Sequence, residues 1–170
     1  MCIRDRGKVD VLINNAGILQ IAALADTSDE LFERTFSINV RGTFNTLREA
    51  ATRLNDGGRV VNFSSSTVAM SLPNYSVYAG SKAAVEVLTP IFAKEMRGRS
   101  ITVNAVAPGP VATDLFFNGK TEAQIQQLAN MPPLQRLGQP DDIAAAVSFL
   151  VGPDGGWING QVLRANGGLA

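Results

Sequence analysis

Short runs of β-branched and other apolar residues, separated by longer segments with helical periodicity, constrain this chain more than any other feature. The runs are Val9-Asp10-Val11-Leu12-Ile13, Arg59-Val60-Val61-Asn62-Phe63, Ile101-Thr102-Val103-Asn104-Ala105-Val106 and Gln161-Val162-Leu163-Arg164. A strand that is apolar on both faces must be covered on both faces, and strands joined by helical crossovers pair in parallel. The pattern therefore predicts an α/β fold with a parallel sheet between two helical layers. In open sheets of this kind ligands bind beyond the carboxyl ends of the strands. Three loops fall there: 14–17, 64–66 and 108–113.

The helical segments have readable boundaries. Thr27-Ser28-Asp29-Glu30 has the form of a capping box with Thr27 at the N-cap. The helix that follows is predicted over 27–54, with Phe32, Phe36, Val40, Thr43 and Leu47 on its inward stripe. Asp56-Gly57-Gly58 breaks the chain before the next strand. A second long helix is predicted over 75–96, a short polar one over 121–130, and a third over 141–150 with Pro140 in its first turn. No internal repeat or linker interrupts the 170 residues, so 7–170 reads as part of one domain.

Composition narrows the chemistry. Formal net charge is zero, with no block of like charge, which gives no electrostatic pull toward nucleic acid or an anionic membrane. No apolar run approaches the length of a bilayer span. Cys2 is the single cysteine, so no intramolecular disulfide is possible, and a cytoplasmic setting is expected. There is no histidine, which excludes Ser-His-Asp and Cys-His machinery and argues against any metal site. Acid–base chemistry must then fall to tyrosine, lysine or carboxylates.

Tyr78 and Lys82 stand four residues apart in the second long helix, on one face. A tyrosine, with an ordinary pKa near ~10, is a poor acid–base catalyst at neutral pH, and a fixed cation beside it favours the phenolate. The same spacing also recurs on ordinary amphipathic helices. Ser65 lies thirteen residues before Tyr78, at a strand end, where its hydroxyl could hold a carbonyl oxygen or simply cap the loop. Asn39 occupies the inward stripe of the first helix, as a functional amide or as a satisfied structural one.

In order and spacing, Asn14-Asn15-Ala16-Gly17, Asn39, Ser65, Tyr78 with Lys82, Pro108-Gly109 and the ending 159–168 resemble the short-chain dehydrogenase/reductase family over residues 7–170. The resemblance implies a Rossmann-like doubly wound parallel sheet and an oxidoreductase that moves a hydride between NAD(P)(H) and a carbonyl or alcohol. It makes Tyr78 the general acid or base. Lys82 would lower the pKa of Tyr78 and hold the nicotinamide ribose, and Ser65 would orient the carbonyl. Asn39 would hold, through its main chain, a water in a proton relay from Lys82. Asn14, Ala16 and Gly17 would brace the sheet and line the adenosine-ribose side of the cofactor, and Pro108, Gly109, Val111 and Thr113 would cradle the nicotinamide. It also implies a small-molecule substrate and a homo-oligomer, dimer or tetramer, paired through the two long helices.

The family's glycine-rich turn after its first strand has no counterpart here. Relative to a complete fold, an N-terminal glycine-rich βαβ portion on the order of 80 residues is expected to be missing. Residues 1–6 then read as extraneous leader. Without that helix N-terminus the chain alone is expected to bind cofactor weakly. NADP is favoured over NAD because 114–138, with Pro133-Leu134-Gln135-Arg136-Leu137-Gly138, resembles the NADPH-dependent aldehyde and 3-oxoacyl reductase branches. Met70, Leu72, Tyr75, Phe116 and Phe117 are expected to wall an apolar substrate pocket, with Gly119-Lys120-Thr121 as a lid hinge and Phe116-Phe117 alternatively part of that hinge. The competing function is a non-catalytic dinucleotide-binding or regulatory protein on the same fold.

Overall fold

Four strands pair in parallel, in their order along the chain. They are β1 (Val9–Asn14), β2 (Leu54–Phe63), β3 (Thr102–Pro108) and β4 (Val162–Ala165). This computed structural model describes residues 7–170, so the leader expected at 1–6 lies outside the described residues. In the register, Ile13 faces Val61 and Val61 faces Asn104.

Both sheet faces are covered where the strands are apolar throughout. The helices α2 (Gly42–Arg53) and α4 (Ser76–Glu95) lie on one face. They enclose a core of Leu47, Leu54, Val60, Phe92, Met96 and Val103. On the other face α7 (Pro140–Val151) packs Ile143 and Leu150 against Val61 and Val106. Val103 and Val106 are fully buried, and each such side chain contributes roughly 1.5–3 kcal/mol relative to exposure. Coverage stops at β1. The α7 helix contacts β2, β3 and β4, so Val11 and Ile13 remain 40% and 45% exposed. Among the described residues no helix is long and apolar enough to cross a membrane.

The first long helix is present but is not a simple α-helix. It comprises α1 (Asp29–Phe36), a wide turn at Ser37–Arg41 with π-type bonding, and α2, with helical backbone throughout. Its buried residues are Leu31, Thr35, Asn39, Thr43 and Leu47, spaced by four, followed by Ala50. That replaces the expected Phe32–Phe36–Val40 stripe. At 3.6 residues per turn a spacing of four drifts around the helix, and the wide turn cancels the drift. Phe32 is 43% exposed instead and stacks on Phe36, with ring centroids 4.5 Å apart.

The N-cap is also displaced by one residue. Ser28 Oγ accepts from the Leu31 amide at 3.2 Å. The Thr27 hydroxyl is drawn back instead to donate to the Ala23 carbonyl, across the short turn Leu24–Asp26. Nor does Asp56-Gly57-Gly58 end the pairing. The strand β2 starts at Leu54 opposite Val9, bulges, and resumes with Arg59 opposite Val11. Arg99 closes this corner, donating to the Ala51 and Leu54 carbonyls and pairing with Asp56 at 2.8 Å.

Candidate active site

The carboxyl ends of β1, β2 and β3 open onto a cavity of about 670 Å³, within the range of small-molecule sites. Ser65, Tyr78, Lys82, Gly17, Pro108, Gly109, Val111 and Thr113 all line it. Residues up to about a hundred positions apart in sequence therefore meet at the place where parallel strands end.

Each lining group is held by a separate device. Following β2, Ser65 is buried, and its Oγ accepts from the Thr67 hydroxyl at 3.0 Å and the Thr67 amide at 3.3 Å. The helix α4 carries Tyr78 and Lys82 one turn apart. Lys82 is 5% exposed, and its Nζ donates to the Phe63 carbonyl at 2.9 Å. Burial lowers the Lys82 pKa from the usual 10.5 to about 8. Its ammonium lies 5.9 Å from the centre of the Tyr78 ring.

Three influences act on Tyr78. Burial raises its pKa above the ordinary 10, the hydrogen bond with Ser65 pulls it back, and the neighbouring Tyr75 phenol raises it again. The Lys82 ammonium is turned toward the Phe63 carbonyl. Tyr75 stands edge-on to Tyr78, with centroids 6.5 Å apart.

Asn39 lies in the wide turn, fully buried and outside the cavity wall. Its Oδ1 accepts the Ile18 amide at 2.9 Å. Its Nδ2 donates to the Ile18 carbonyl and to Ser81 Oγ, both at 3.0 Å. Ser81 in turn donates to the Tyr78 carbonyl at 2.7 Å. Asn39 thus clamps the loop after β1 to the helix that carries Tyr78 and Lys82. Its main-chain carbonyl accepts the Thr43 hydroxyl at 3.0 Å. Gly17 is squeezed at this junction: a β-carbon there would stand 3.2 Å from Asn39 Oδ1 and 3.3 Å from Lys82 Nζ.

The residues expected to bind cofactor separate into two groups. Gly17, Pro108, Gly109, Val111 and Thr113 face the cavity, whereas Asn14 and Ala16 do not. Asn14 donates to Asn62 Oδ1 at 2.8 Å and accepts from Thr46, while Asn62 donates to Thr89. It therefore braces β1, β2 and α4, and the adjacent Asn15 lines the cavity in its place. Ala16 is exposed. Thr113 caps α5 (Asp114–Phe117), accepting from the Phe116 amide at 3.3 Å. Gly109 is packed so tightly that a β-carbon would meet Asn166 at 3.0 Å. Asn166 itself donates to Ser66 Oγ and tethers the chain after β4.

Met70, Leu72, Tyr75 and Phe116 form walls as expected, but Phe117 points away and is 39% exposed. Sequence reading missed Lys120 as a wall residue, along with Asn62, Ser66 and Ser81 as braces. A polar residue inside an apolar strand, as at Asn62, was the available signal for one of these. Lys120 had none, because a single lysine in a polar loop ordinarily faces solvent.

A parallel sheet with helices on both faces and a cavity at its carboxyl edge define a chain of the Rossmann-like α/β class. A family model described as enoyl-(acyl carrier protein) reductase matches residues 2–170. The chain belongs to the short-chain dehydrogenase/reductase family. It is 49% identical over 166 residues to a short-chain type dehydrogenase/reductase of Picea abies, covering 95% of this chain and 61% of that protein. It is 46% identical to an Arabidopsis thaliana protein named NADPH-dependent aldehyde reductase-like protein, chloroplastic, covering 94% of this chain and 61% of that one. Among solved structures, the angucycline C-6 ketoreductase LanV with bound NADP aligns with a TM-score of 0.91 at 31% identity, over 98% of this chain and 66% of that one. A blue fluorescent protein from a metagenomic library, in complex with NADPH, aligns at 0.92 and 37% identity over 99% and 68%. The chain thus spans about 61% of the length of these two curated relatives.

Proposed function

We propose that this chain carries the proton-transfer and nicotinamide-side portion of an NADP(H)-dependent carbonyl reductase. The observation that carries the reading is that the phenol of Tyr78, the hydroxyl of Ser65 and the ammonium of Lys82 all face one cavity at the strand ends. In the reductive direction Ser65 holds the substrate carbonyl oxygen and Tyr78 Oη delivers the proton to it. Lys82 would hold the nicotinamide ribose, and its ammonium would stabilise the phenolate that remains. Asn39 acts chiefly as the clamp that fixes the Tyr78 helix, with the relay role of its main chain resting on family resemblance alone.

The donor set fits the nicotinamide ribose: one ammonium, one hydroxyl and the narrow floor of Gly17, Pro108 and Gly109 lie together. Val111 and Thr113, which line the cavity, would meet the carboxamide, and Asn14 and Ala16 would contribute by shaping the loop that carries Gly17. When bound, the dinucleotide supplies the hydride. NADP is preferred to NAD because two relatives and neighbours are named for it or hold it. A cytoplasmic location and self-association through α1, α2 and α4 complete the proposal. Phe44, Val87 and Ile91 are exposed on those helices.

The test is Tyr78→Phe, assayed as NADPH oxidation with an aldehyde, on this chain and on a form extended N-terminally to the length of its relatives. Activity in the extended form is expected to fall by roughly 10²–10⁴-fold with NADPH binding retained. Activity unaffected by the substitution would refute the assignment. Binding without turnover in either version would favour the regulatory reading.

A further inference from the structure

We propose that Lys120 sets the substrate class of this site, selecting a carbonyl compound that carries a carboxylate remote from its carbonyl. The inference rests on the reductase reading above and deepens it.

Among the described residues the cavity wall contains two lysines and no aspartate or glutamate. Lys82 is committed to the Phe63 carbonyl and to the catalytic cluster. Lys120 is held differently. It follows α5, and its Nζ donates to the Phe116 carbonyl at 2.6 Å and stands 4.8 Å from the Phe116 ring centre. An ammonium has three protons, and these contacts leave two able to donate. None of the ion pairs among the described residues includes Lys120. Partial burial lowers its pKa, as expected for a cation moved out of water without a counter-ion.

Around it the wall is apolar: Leu115, Phe116, Leu128 and Met131. An apolar wall with one under-partnered cation suits a ligand with an apolar body and one anionic group. A carboxylate there accepts charge-assisted hydrogen bonds and compensates the cation. The ring of Phe116 and the bond to its carbonyl hold the ammonium in place before the ligand arrives. Lys120 is therefore a specificity residue, separate from proton transfer.

Dinucleotide phosphates are a second source of anionic oxygen, so the test separates them. Binding of 4-carboxybenzaldehyde, of its neutral isostere 4-formylbenzamide and of NADP is measured by ligand-observed NMR on the chain as it stands, in wild type, Lys120→Gln and Lys120→Arg. Wild type is expected to favour the carboxylate over the amide by about fivefold or more, as for a hydrogen bond to a charged group. Lys120→Gln brings that ratio toward one, Lys120→Arg preserves it, and added salt shrinks it. A ratio unchanged in Lys120→Gln, or no preference in wild type, overturns the proposal. So does loss of NADP binding in Lys120→Gln with the aldehyde ratio intact. A carboxylate preference in a protein whose extended form reduces no carbonyl would instead sink the reductase reading and leave the anion site standing.

Discussion

At Lys82, burial and charge oppose each other. Its pKa of about 8, against 10.5 in an exposed lysine, means that the folded chain sheds a proton the unfolded chain keeps. Below pH 8 both states are protonated and the burial penalty is felt in full. Between pH 8 and 10.5 the unfolded state binds more protons, so stability rises with pH. Wild type is therefore expected to gain urea resistance from pH 7.5 to 9.5, by about 2–3 kcal/mol at most, while Lys82→Met gains none. Parallel pH profiles for the two proteins would contradict this. Tyr78, whose pKa is raised, opposes the trend only above pH 10. The spacing of Tyr78, Lys82 and Ser65 was legible in the sequence. The direction in which each is tuned was not, because it depends on which acceptor the ammonium finds and how much water the fold removes.

At the level of elements, the wide turn at Ser37–Arg41 does the most for the site, since it turns Asn39 inward to bond both Ile18 and Ser81. Asn39→Leu leaves the Ile18 amide and carbonyl without those partners in a buried setting. It is expected to destabilise the chain by about 2–4 kcal/mol, read from the urea midpoint, with loss of exchange protection at the Ile18 amide. The corrected cap can be tested in the same way. Ser28→Ala is expected to cost about 1 kcal/mol, and Thr27→Ala distinctly less. Equal costs would restore Thr27 as the cap. The helix itself was predicted from its pattern; the wide turn was not. Periodicity reports which residues are apolar, and the inward stripe here includes Thr35, Asn39 and Thr43, whose burial depends on tertiary partners.

Across the whole molecule, coverage of the sheet is uneven. Among the described residues no helix lies over the face of β1 that carries Ile13, and Val11 and Ile13 are each at least 40% exposed. An exposed apolar edge strand invites pairing with other chains. Val11→Lys is expected to raise the temperature at which light scattering appears on heating, without moving the urea midpoint by more than ~0.5 kcal/mol. An unchanged scattering onset would place the sticky surface elsewhere. The exposed Phe44, Val87 and Ile91 on the opposite helical layer are the alternative.

Strand periodicity was enough to specify the parallel sheet, its helical layers and the edge at which a site should open, because burial on both faces leaves its mark on every residue of a strand. The spacing of Tyr78, Lys82 and Ser65 was likewise enough to bring a phenol, an ammonium and a hydroxyl to that edge. Only the folded chain shows that Asn14 braces strands while Asn15 faces the cavity. Only there does burial set the direction in which Tyr78 and Lys82 are tuned, and only there does Lys120 join the wall. Those outcomes depend on which of several polar partners lies within about 3 Å and on how much water is excluded. Both are properties of distances between segments remote in sequence, and no local pattern encodes them.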